Sequence, residues 1–136
     1  MSVPQYSMLP NNLRVNIPVI DGEHDELFAF LEGFKVYCFD ISPMPQDRRS
    51  ELFGILQRHF ETEERLATEA GINFLDHADA HETMLETIAQ TLNQMGSNNS
   101  DLYSLIRYIG YWFEIHILNY DITLARSLKA NSQLIS

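Results

Sequence analysis

All five histidines of this 136-residue chain fall on the apolar faces of helical repeats, and that placement limits the folds open to it. The first face reads His24, Leu27, Phe28, Leu31, Phe34, Cys38, and the second Leu52, Ile55, Leu56, His59, Glu63, Leu66, Ala70. The third reads Phe74, His77, His81, Met84, Leu85, Ile88, Leu92, Met95. The fourth reads Leu102, Leu105, Ile106, Ile109, Trp112, Phe113, His116, Tyr120, Leu124, Leu128. Residues four apart share a helix face, so His59–Glu63 and His77–His81 are chelating pairs on successive helices. Burying an imidazole without partners costs roughly a few kcal/mol, and an unpaired Glu63 would cost more. A metal ion satisfies such a set of donors together.

Helix signals divide the chain at matching places. Asp21 is a good N-cap, Ser42-Pro43-Met44-Pro45 stops a helix, Gly71 suits a C′ position, and Gly96-Ser97-Asn98-Asn99 is a turn cluster that Ser100 or Asp101 follows as a cap. The expected helices are about 21–41, 46–70, 74–95 and 101–130. Residues 1–20, with Pro4, Pro10 and Pro18, read as an irregular arm whose apolar members pack along the core. Short connections force antiparallel neighbours. The expected architecture is therefore all-α: one domain, 1–136, an up-down-up-down antiparallel four-helix bundle with an irregular N-terminal arm.

Composition narrows the function. A net charge of −10 with scattered Lys and Arg argues against nucleic acid or an anionic membrane as partner. No apolar run reaches a membrane span, no leader pattern opens the chain, and the single Cys38 cannot make an internal disulfide. The expected location is the cytoplasm, with Cys38 a small core residue.

Imidazole and carboxylate donors suit zinc, iron, copper or manganese, and five histidines exceed what one structural zinc takes. Two ions bridged by carboxylate use such a set. No Glu stands three residues before a histidine, which disfavours the Glu-x-x-His di-iron bundles. On the fourth helix the spacing leaves a choice. Asp121 is five residues from His116 and turned about 140° from it on an ideal helix. It reaches the core only by bridging sideways or through a locally widened turn, and Asn119 is an equal candidate on spacing alone.

These residues resemble the hemerythrin family, in particular bacterial single-domain hemerythrins. The likeness rests on a lone His24, His59-x3-Glu63, His77-x3-His81 and His116-x4-Asp121, in order, across about residues 15–128. Smaller signatures are also similar: Ile20-Asp21-Gly22-Glu23-His24, His59-Phe60 before Glu63-Glu64, and Trp112 before His116-Ile117. The resemblance implies two iron ions, oxo- or hydroxo-bridged and cycling between diferrous and diferric states, that bind O2 reversibly. It places His77, His81 and His116 on a saturated iron and His24 and His59 on an open one. Glu63 and Asp121 would bridge both, which decides for Asp121. It also implies an O2 pocket of Leu27, Trp112, Phe113, Ile117 and Asn119, the last a polar departure from the animal carriers. A second departure is Asn16, where bacterial relatives often have glycine.

The resemblance implies a carrier or store of O2, or an O2/redox sensor, and not an enzyme. NO and azide are further expected small ligands. Relatives occur alone and fused to outputs such as diguanylate cyclases, so a C-terminal signalling domain is an expected partner if the chain continues. A di-iron oxidase, peroxidase or nitric oxide reductase is the competing function, but the sequence offers no titratable proton donor beyond the ligands. A structural bundle, metal-stabilised or metal-free, is the remaining alternative.

Overall fold

The computed structural model describes residues 8–38, 46–95 and 102–135, and every regular element among them is helical. A 3-10 turn at Asn11–Leu13 precedes α1 (Pro18–Cys38), α2 (Gln46–Glu69) and α3 (Leu75–Met95). The last rod is continuous in three parts: α4 (Leu102–His116), a π-helical turn (Ile117–Asp121) and α5 (Ile122–Ile135). The helices pack as a bundle in which α1 meets α2 and α4, and α3 meets α2 and α4. Among the described residues, no helix is long and apolar enough to cross a membrane. The expected stops at 42–45 and 96–99, the caps at Ser100 or Asp101 and the side chain of Cys38 lie outside what is described.

One boundary differs from expectation. α1 begins at Pro18, three residues before Asp21, and the Asp21 amide already donates to Ile17 O at 2.9 Å. Proline opens a helix well, because its missing N–H is one that the first turn leaves unpaired anyway. Asp21 is thereby freed to tie down the arm. Its carboxylate accepts from the amides of Val15 (2.8 Å) and Asn16 (3.0 Å). Asn16 has φ 64°, a left-handed conformation that asparagine tolerates better than most residues. Asp25 continues the tie by accepting from the Met8 and Leu9 amides.

The α2–α3 turn follows its sequence signal. Gly71 has φ 71°, its amide donates to Thr68 O, and the Ile72 amide donates to Ala67 O. That bond pair is the Schellman arrangement, which closes the last carbonyls of a helix and turns the chain sharply.

Among the described residues, two apolar clusters fill the interior. The larger joins α1 (Leu27, Leu31, Phe34), α2 (Leu52, Leu56, Phe60), α3 (Met84, Ile88) and α4 (Ile106, Ile109, Phe113). The smaller joins the arm residues Leu9, Leu13 and Val15 to Ile20, Ile117 and Ala125. On α1, His24 stands between Ile20 of one cluster and Leu27 of the other. On the last rod, His116 stands between Phe113 and Ile117. A polar layer therefore lies between two dry ones.

Candidate metal centre

That layer draws one or two side chains from each rod. α1 supplies His24, α2 supplies His59 and Glu63 one turn apart, α3 supplies His77 and His81, and the last rod supplies His116 and Asp121. All seven are buried: His24, Glu63 and Asp121 are 0% exposed, and His77, the most exposed, is 7%.

The π turn decides the choice that spacing left open. The Ile122 amide donates to Ile117 O, five residues back instead of four. The extra residue in the turn brings position i+5 beneath His116, and Asp121 Oδ1 lies 3.3 Å from His116 Nε2. Ile117 and Asp121 both face inward, while Leu118 and Asn119 are turned to solvent. Asn119 was expected in the dry pocket beside the open metal position. It is instead exposed and lines an outer cleft with His77 and Tyr120, because the widened turn carries it past the core.

The donor atoms converge as two groups. One contains Glu63, His77, His81, His116 and Asp121, and the other His24, His59, Glu63 and Asp121. Within each group the ligand atoms lie within 4.8 Å of one another, and the two groups share both carboxylates. Asp121 divides its oxygens: Oδ1 lies 2.9 Å from His77 Nε2, and Oδ2 lies 3.0 Å from His24 Nε2. His116 Nε2 is 3.1 Å from His77 Nε2 and 3.0 Å from His81 Nε2. Glu63 Oε1 is 3.3 Å from both His59 Nε2 and His81 Nε2. An ion about 2.1 Å from two ligands at right angles holds them about 3.0 Å apart, so these are separations a shared cation produces.

The polar atoms also need such a partner. Both oxygens of Glu63, both oxygens of Asp121, His59 Nε2 and both ring nitrogens of His24 are buried without an aligned hydrogen bond. His24 and Asp121 approach to 3.0 Å, yet not in hydrogen-bond geometry. Buried polar atoms are otherwise almost always paired. The cluster can hold a metal ion, and these donors fit one.

Surrounding contacts set the rings. Glu23, which periodicity does not single out, lies 2.7 Å from His59 Nδ1 through Oε1, while its Oε2 accepts from Thr62 Oγ1 at 2.9 Å. That contact puts the Nδ1 proton toward Glu23 and leaves Nε2 facing Glu63, the tautomer a ligand needs. The only hint in the sequence is that Glu23 adjoins His24; its use appears once α1 and α2 are packed. Phe60 stacks on His81 at 3.8 Å between centroids, and Trp112 stacks on His116 at 4.3 Å. Glu23→Gln is expected to weaken metal binding by about 10–100-fold with the fold intact. Competition against a chelator measures it, and an unchanged affinity would remove Glu23 from the site.

Without metal, the cluster carries opposed protonation preferences. Burial alone would lower the His59 pKa, but the Glu63 charge and the contacts with Glu23 and Glu63 raise it to about 10. Burial and the Asp121 charge raise Glu63 to about 8. Burial would raise Asp121 too, but close contacts from His116, His24 and His77 hold it well below its ordinary value. Burial lowers His24 and His116, and burial together with His116 and His77 lowers His81 to about 2.

The sign for stability follows by linkage. Glu63 and His59 hold protons more tightly when folded, so their contribution is present at low pH. It is lost as pH rises, for Glu63 from 4.5 to about 8 and for His59 from 6.5 to about 10. The lowered His24, His81 and His116 contribute above 6.5 and lose that contribution as pH falls below it. The metal-free protein is expected to be most stable near pH 6 and to weaken toward about pH 9. With metal the alkaline limb should rise, because protons compete with the ion. Urea midpoints across pH check this, and a metal-free midpoint climbing steadily from about pH 6 to 9 would contradict it.

Of the residues expected to form a pocket, Leu27, Phe113 and Ile117 are fully buried, and Trp112 is half-buried against His116. The Phe113 ring lies 6.5 Å from that of His24 and 6.4 Å from that of His59. No family model, curated protein or solved structure matches the chain. The site's own chemistry is what speaks for a function.

Proposed function

We propose that this chain is a non-haem di-iron protein of the hemerythrin kind, an up-down-up-down four-helix bundle that binds O2 reversibly for carriage, storage or sensing. The observation that carries the reading is the sharing of Glu63 and Asp121 between two groups of buried histidines. His77, His81 and His116 would hold one iron, His24 and His59 the other, with the two carboxylates across both. Three histidines against two leaves the His24–His59 side with fewer protein donors, which favours it as the place for an external ligand.

A pair of irons supplies the electrons that reversible O2 binding needs. The residues supply the surroundings. Neutral imidazoles would leave bound metals electron-rich, while the two carboxylates would offset part of their charge. Leu27, Phe113 and Ile117 exclude water from the open side, which slows irreversible oxidation. Glu23 and Thr62 hold His59 in its ligating tautomer.

The test is the iron content of the protein purified in air, together with its absorption spectrum when oxidised, reduced and re-exposed to O2. Two irons per chain and a spectrum that reverses on removing O2 are expected. Iron retention with irreversible oxidation would instead favour the enzyme reading, and absence of bound metal would overturn both.

A further inference from the structure

We propose that the cleft between the α2–α3 turn and the π turn is the port through which divalent metal ions reach the buried donors, with Asp76 as the capturing residue. The proposal rests on the metal-centre reading of the cluster. The cleft has a volume of about 460 Å³, and its lining includes Asn73, Asp76, His77, Asn119, Tyr120 and Thr123. His77 forms part of its wall and is also the most exposed of the seven donors. Behind it, Asp121 Oδ1 lies 2.9 Å from His77 Nε2 and has no hydrogen-bond partner. Two further clefts, one beside Arg49 and one beside Phe28, are lined by none of the seven donors.

The lining suits a hydrated cation. Asn73, Asp76 and Asn119 offer oxygen ligands at the mouth, and Asp76 is the one acid among the residues lining the cleft. An ion held there exchanges water for the His77 imidazole and then for the shared carboxylates. The group containing His24 and His59 is the more deeply buried, at 0% and 1% exposure. Its ion must pass the His77 group, so the inner position fills before the outer one closes the way.

The test uses the full chain stripped of metal, with Co(II) uptake followed by stopped-flow absorbance and release followed with excess chelator. Asp76→Asn is expected to slow uptake by about three- to tenfold, through loss of one charge near the path. Thr123→Trp, at an exposed position on the cleft wall, is expected to slow uptake and release by the same factor. A plug in the path leaves the dissociation constant and the stoichiometry as they were, and a distorted site would not. Unchanged rates in both variants would overturn the port. A wild-type chain that takes up no cobalt would overturn the metal-centre reading itself.

Discussion

Asp121→Ala is expected to leave the chain almost free of iron, whereas His24→Ala is expected to retain about one ion per chain. The difference follows from sharing. His24 belongs to one group of donors only, and Asp121 belongs to both. Removing Asp121 takes one oxygen from beside His77 and the other from beside His24, both at 3.0 Å or less. It also leaves Glu63 as the one carboxylate among the remaining donors, and cations brought there would be poorly neutralised. Metal analysis after gel filtration reads the result directly. Equal losses in the two variants would mean that Asp121 bridges nothing.

Chelation of the loaded protein should lower its melting temperature by about 10–20 °C. Binding to the folded state alone stabilises by about 4 kcal/mol when free metal is a thousandfold above Kd, and each kcal/mol moves a domain of this size by several degrees. The effect is large because the chain without metal keeps its cost. Seven ring and carboxylate atoms remain buried without aligned partners. Scanning calorimetry with and without chelator checks this, and a shift below about 3 °C would indicate that the cluster is satisfied by protons alone.

The helical fold and most of the cluster were readable from spacing. His24, His59, Glu63, His77, His81 and His116 keep step with apolar neighbours at the helical period, so burying Leu27, Leu56 or Phe113 buries them too. Gly71 was readable for the same local reason, since a positive φ at the end of a helix has a preferred residue. Asp121 was not readable by period. The extra residue of the π turn falls in Ile117-Leu118-Asn119-Tyr120, where apolar residues occupy both candidate registers and the pattern carries no mark of insertion. Only the family resemblance favoured Asp121, and the same resemblance misplaced Asn119. Glu23 escaped because its partner His59 is 36 residues away on another helix, and no periodicity reports a contact of that sort. Pro18 escaped because Asp21 offered a plausible cap, and nothing local shows that its carboxylate is engaged by the arm instead.

The π turn has a genetic consequence. Loss of a single codon between 118 and 120 would let the rod relax to an ordinary α-helix, with the aspartate then four residues after His116 and still on its face. Leu124 and Ala125 would keep their places on the core in the same event. Loss of a codon elsewhere in α4 or α5 would instead rotate everything after it by about 100°. A lineage could thus shed the extra residue of the turn without repacking the C-terminal end, whereas substitution at Asp121 would remove the carboxylate and spare the packing.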